Sequence, residues 1–212
     1  MIAKFSKVAF VVATLALAAQ AQAQTAVTNR SQITNGQTFS WAGHPAANPF
    51  TVALGPVAMT VGSNTGGSWY SPCKAGLCWG GGFTDGDNIL FGFRNTTYTF
   101  SFSQAISGFA TQAWYNNGGG AVTINSFLGS NNTGTFNFTT GGGAAANANQ
   151  ASVIGVLDNN GFDKLVVNAG GEFAVNQVTY DATTVPEPTS VALIALGLAG
   201  MGIAAHRRRA TA

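Results

Sequence analysis

Between residues 24 and 185 the chain carries six carboxylates, Asp85, Asp87, Asp158, Asp163, Glu172 and Asp181, together with one histidine, His44, and two cysteines, Cys73 and Cys78. Two carboxylates are the minimum for glycoside hydrolysis, one as acid and one as base or nucleophile. A histidine can serve a nucleophilic serine as base near neutral pH. His44, however, sits in the Pro/Ala-rich stretch AGHPAANP, the setting of a loop residue. Catalytic acids also work among Arg, His, Tyr and Asn partners, and the first three are scarce here. The reading is therefore non-enzymatic, with a glycoside hydrolase as the weakest alternative.

Two clusters fit the oxygen chemistry of calcium. Asp85-Gly86-Asp87-Asn88 and Asp158-Asn159-Asn160-Gly161-Phe162-Asp163 gather hard ligands around a glycine. Neither has the closing glutamate of an EF-hand loop. Asx-rich turns, in which Asp and Asn bond their own backbone, account for both more simply. No other cofactor is indicated. Sugar binding is a second chemistry, because aromatic planes stack on sugar rings. Trp69-Tyr70, Trp79 and Trp114-Tyr115 all lie beside Gly/Asn/Ser-rich turns, and Asn116-Asn117 adds amide groups. The competing reading is that these rings fill the core. Cys73 and Cys78, separated by the four residues Lys-Ala-Gly-Leu, are expected to form a disulfide that pins a loop in an exported protein. A redox pair would want closer spacing at a helix start.

The two ends follow other rules. Lys4 and Lys7 precede the apolar run Val8–Ala19, and the small-residue sites Ala19-Gln20-Ala21 and Ala21-Gln22-Ala23 come next. Residues 1–23 thus read as a secretory signal peptide, cut after Ala23 or, second, after Ala21. Near the C-terminus, Val185-Pro186-Glu187-Pro188 leads into the uncharged run Val191–Ala205 and then Arg207-Arg208-Arg209. The prolines keep the backbone extended. A short transmembrane helix is expected at about 189–206. The arginines hold its end in the cytoplasm while everything upstream is exported.

The order Pro186-Glu187-Pro188, hydrophobic segment, Arg207–Arg209 resembles the PEP-CTERM sorting signal of Gram-negative bacteria. The resemblance implies that signal peptidase and then a membrane-embedded exosortase process an inner-membrane-anchored precursor, and that the product reaches the cell surface or an exopolysaccharide matrix. It says nothing of what the exported portion does there. A structural or adhesive matrix role is the leading reading, and a carbohydrate-binding module for exopolysaccharide is the alternative.

The elements that must position these residues are strands. Thr97–Phe102 and Thr135–Thr139 alternate with period two. Further strands are expected at Thr51–Val61, Ile89–Phe93, Gly108–Tyr115, Ala121–Leu128, Ser152–Leu157, Lys164–Val167 and Glu172–Tyr180. In the last, Phe173 and Val175 set one phase while Val178 and Tyr180 set the other, so a bulge is expected at Asn176-Gln177. About nine short strands divided by turn signals predict an all-β antiparallel sandwich, jelly-roll-like, over residues 24–184. Gly80–Gly82, Gly118–Gly120 and Gly141–Gly143 read as loop tips, and 141–150 as a flexible loop. The sorting signal occupies 185–212. Only 8% of the chain is charged, against about 25% for a soluble domain. Five of the nine cations belong to the terminal signals, so residues 24–185 keep four against six acids, a net charge of −2 rather than the formal +2. That inventory excludes a nucleic-acid partner.

Overall fold

The longest strands of this chain are too long for one sheet, and the fold follows from how they bend. The structure, a computed structural model, describes residues 24–44, 47–65, 69–72, 79, 82–84, 86–93, 95–143 and 150–182. Residues Gln24–Thr184 form one compact unit. The expected signal peptide, sorting signal and membrane span, with Cys73, Cys78 and Asp85, lie outside the described residues. Among those described, no helix is long and apolar enough to cross a membrane.

Eleven strands run in order: β1 (Thr25–Ala26), β2 (Gln37–Phe39), β3 (Phe50–Leu54), β4 (Val57–Ser63), β5 (Trp69–Pro72), β6 (Asn88–Gly92), β7 (Thr97–Tyr115), β8 (Gly120–Leu128), β9 (Asn131–Thr140), β10 (Ser152–Ala169) and β11 (Phe173–Asp181). Every strand pair is antiparallel.

β7 and β10 pair with each other along most of their length, but the register breaks between Leu157 and Lys164. There both strands turn a corner together. Gly161 adopts φ +80 at this corner, a conformation glycine takes without steric cost. Beyond the corner each strand has different neighbours. The first half of β7 and the second half of β10 build the sheet β3-β4-β7-β10-β8-β9. Their other halves build β5-β6-β11-β7-β10-β1, with β2 alongside the far half of β11. The result is a sandwich whose two sheets share two bent strands.

Inward residues fill the space between the sheets. Trp41, Tyr98, Phe100, Phe109, Ile106, Phe162, Leu165 and Phe173 are all buried. Phe100 meets Phe109 across the sandwich at 5.0 Å, and Phe102 meets Phe162 at 6.1 Å beside the corner. Each such side chain contributes about 1.5–3 kcal/mol by leaving water. The indole of Trp41 satisfies its N–H on the Asn176 carbonyl at 2.8 Å.

The antiparallel sandwich matches the sequence reading, and so does the bulge: the β11 register slips between Val175 and Val178, keeping both inward. Three readings need correction. Thr51–Val61 is a hairpin, β3 and β4, turning at Gly55 with φ +63. Thr97–Phe102 with Gly108–Tyr115, and Ser152–Leu157 with Lys164–Val167, are two continuous strands that bend where polar residues interrupt the alternation. Strands β1, β2 and β5 carry too little apolar periodicity to be seen in sequence. The Gly141–Gly143 part of the expected flexible loop is anchored, since Tyr115 bonds Gly141 and Gly143 through its backbone; 144–149 lie outside the described residues.

Burial pushes the Tyr98 hydroxyl well above the ordinary tyrosine value of 10.0, and Tyr115 and Tyr180 shift the same way. A group whose folded pKa is raised stabilises fully below its unfolded pKa and loses that contribution as pH rises through the folded one. Urea unfolding at a series of alkaline pH values should therefore show a midpoint that is steady below about pH 10 and falls above it; Tyr98→Phe should flatten that fall.

Candidate functional site

Two of the sequence-selected aromatics serve the fold. Trp114 is 6% exposed. Its ring is covered by the backbone at Gly82 and at Gly141, each so close that any β-carbon there would overlap the indole. Tyr115 faces the opposite side of β7, into the core. Its hydroxyl donates to the Ala121 carbonyl at 2.6 Å and accepts from the Gly170 amide at 3.2 Å, tying three strand ends together. Neither ring offers a face to a sugar, which corrects the sugar-stacking reading for this pair. The side chains of Trp69 and Tyr70 lie outside the described residues.

Trp79 is different. It sits half-buried with φ +48, a costly conformation for a bulky residue and one that concentrates at binding sites. Its ring lies 5.7 Å from Phe91, and Phe91 lies 6.1 Å from Phe93. Phe93, at 51% exposure, is the one large hydrophobic side chain in the open among the described residues. Backbone pairing continues this file toward β5, where Trp69 stands opposite Phe91.

The register explains why polar groups adjoin the file. Phe173 of β11 pairs with Gly92 on one side and Tyr115 on the other. One residue beyond the ends of these strands stand Phe93, Glu172 and Asn116, of which Asn116 and Glu172 are bonded to each other. Adjacent strands lie about 4.8 Å apart. The Asn116 amide N–H bonds the Glu172 carbonyl at 3.0 Å, and its side-chain amide donates to the Glu172 carboxylate at 2.5 Å. By period two these residues share the outer face with Trp114 and Ala174. An open ring, two supporting rings and an amide–carboxylate pair thus occupy one end of one sheet face. Sequence reasoning missed Phe91 and Phe93, although their spacing within Ile89–Phe93 puts both on a single face.

The remaining candidates are engaged elsewhere. Asp87 accepts from the Thr84 amide at 3.0 Å and from the Asn176 side chain at 2.8 Å. Arg30 faces it, bonding both the side chain and the carbonyl of Gln177; burial lowers the arginine's pKa while Asp87 opposes that shift. Asp158, 2% exposed at the corner of β10, accepts from Gln24 and from the Asn160 amide, an Asx turn. Asp163 accepts from the Gly129 amide at 2.9 Å. Each described calcium candidate thus accepts at least one bond from the protein, and no group of three His, Cys, Asp or Glu placed to hold a metal occurs among the described residues. Asp158 and Glu172 stand at opposite ends of the sandwich. The straight run Lys164–Ala169 between them spans roughly 17 Å of extended strand, beyond the roughly 5–9.5 Å that paired glycosidase carboxylates need. His44 is packed between Phe39 and Phe50, with ring centroids at 5.0 and 6.2 Å.

The PEP-CTERM protein-sorting motif matches residues 184–209, which include Pro186, Glu187, Pro188 and Arg207–Arg209. That motif marks an exported protein with a membrane-anchored precursor. No curated protein sequence matches the chain. Solved structures similar to it include CsCBM6-3 from Clostridium stercorarium in complex with cellobiose, 7% identical with a TM-score of 0.34, over 68% of this chain and 92% of that one. The family 11 carbohydrate-binding module of a cellulosomal cellulase of Clostridium thermocellum is 8% identical with a TM-score of 0.38, over 69% and 94%. An isomalto-dextranase of Arthrobacter globiformis complexed with panose is 13% identical with a TM-score of 0.40, over 74% of this chain and 34% of that one.

The different duties of the aromatics can be measured. Gly141→Ala, which forces a methyl group into the Trp114 ring, should cost about 1–3 kcal/mol in chemical denaturation. Phe93→Ala should stay within about 0.5 kcal/mol of the unsubstituted protein.

Proposed function

We propose that the exported portion, residues 24–184, is a non-catalytic component of the cell surface or extracellular matrix that holds exopolysaccharide on the Trp79–Phe91–Phe93 file. One observation carries this reading: an exposed Phe93 one residue beyond the β6–β11 pairing, at the strand end where Asn116 and Glu172 are bonded. A sugar ring presents an apolar C–H face and a rim of hydroxyls. Phe93 would cover the face, while the Glu172 carboxylate and the Asn116 amide accept from and donate to the rim. Phe91 and Trp79 back the file and extend it for a neighbouring sugar. The scarcity of charge agrees with a neutral polymer, which a charged surface would favour little. Delivery follows the sorting motif: signal peptidase removes 1–23, and exosortase removes the segment beyond Pro186 from the inner-membrane precursor. The disulfide between Cys73 and Cys78 belongs to the same oxidising setting.

Two measurements check the reading. The purified exported protein should bind polysaccharide from the matrix of the cells that make it. Phe93→Ala and Trp79→Ala should each weaken that binding about tenfold, equivalent to about 1.4 kcal/mol, with melts unchanged; binding indifferent to both substitutions would refute the site. Intact mass of the extracellular form should correspond to a chain beginning near Gln24 and ending near Pro186, and a form retaining Arg207–Arg209 would refute the processing.

A further inference from the structure

Strand β9 forms one edge of its sheet, and among the described residues β8 is the only strand paired with it. An open edge presents a row of unpaired N–H and C=O groups, a template for another strand. Natural edges are blunted by lysine, proline, inward charges, shortness or bulges. β9 has few of these devices. Its ten residues, NNTGTFNFTT, contain no charge and no proline. The register slip against β8 falls at Asn132–Gly134, and from Gly134 to Thr140 the pairing is unbroken. That window has the β-prone, uncharged composition associated with strand-to-strand association.

Its side chains fit the same conclusion. Thr135, Asn137 and Thr139 are exposed on the outer face. Thr135 donates to Asn125 at 2.8 Å and Thr123 donates to Asn137 at 3.0 Å, so a regular Thr/Asn ladder reaches the edge. On the inner face Phe136 is only partly buried against the core, and among the described residues no strand pairs beyond β9. The opposite edge of the sheet, β3, has five residues and cannot match the length of β9. A second β9 can. Two-fold pairing makes the strands antiparallel, continues the pattern of every other pair in the fold, and brings the two Phe136 rings toward a common strip. With a net charge of −2 on residues 24–185, two copies repel each other little.

We propose that the exported protein forms a two-fold dimer by antiparallel pairing of β9 with the β9 of a second copy. The dimer carries two aromatic files and so cross-links matrix polymer, although the pairing itself does not depend on the sugar site. Sedimentation velocity across a wide concentration range should show a monomer–dimer equilibrium in the protein as cells export it. The double substitution Thr135→Lys with Asn137→Lys places like charges across the new pair. It should weaken dimerisation about tenfold or more and leave the protein folded, the melt falling only by the small cost of the two exposed Thr–Asn bonds it removes. Ala53→Lys on β3 should leave the dimer intact. In the unsubstituted protein, amide exchange along Gly134–Thr140 should slow as concentration rises. A monomer at every concentration, a dimer that survives the double substitution, or a dimer dissociated by Ala53→Lys would each overturn the proposal.

Discussion

The paired bend of β7 and β10 is the constraint on which the rest of this molecule depends. Because both strands pass through the corner and pair with each other on either side of it, the two sheets cannot slide independently. Each half-strand then templates its own neighbours, β4 and β8 on one side, β11 and β1 on the other. The bend itself needs little: a glycine at φ +80, a few polar residues that break the alternation, and the buried Asp158 holding the Asn160 amide. Phe102 and Phe162 pack beside it, so the corner is a part of the core rather than a loop around it.

The candidate site inherits its geometry from this arrangement. Both ends of β7 return to the same end of the sandwich, where Tyr115 ties β8 and the β10–β11 turn together. That anchoring fixes the row Phe93, Glu172 and Asn116. Trp114 supports the same face from beneath, and it fits only because Gly82 and Gly141 have no side chains. A binding surface on strand ends is stiffer than one on a free loop, which favours a preorganised platform for a repetitive, weakly polar ligand.

Much of this was legible in the sequence, and the failures have physical causes. The alternation in Thr97–Phe102 and Thr135–Thr139 announced half-buried strands, and the phase change between Val175 and Val178 announced a bulge that the structure contains. Continuity across the bends was not legible, since period-two patterns stop wherever a strand turns its faces. The short edge strands β1, β2 and β5 were hidden because two to four residues carry no period. Among the aromatics, Trp114 and Trp79 both stand beside glycine-rich turns, yet one is roofed by backbone and the other is half open. Composition near a ring does not reveal which side of the sheet is covered. Phe91 and Phe93 were read only as strand residues, because the exposure of a ring is set by tertiary contacts that local periodicity does not carry.

The sorting motif at residues 184–209 marks the chain as exported, and the proposed role of the aromatic file rests on the exposure of Phe93. The most direct measurement is a residue-level map of ligand contact: backbone and aromatic NMR shifts of the isotope-labelled exported protein titrated with its own matrix polysaccharide. The account predicts that the largest changes fall on Phe93, Phe91, Trp79, Asn116 and Glu172. Changes confined to the opposite sheet, or none at saturating polymer, would contradict it.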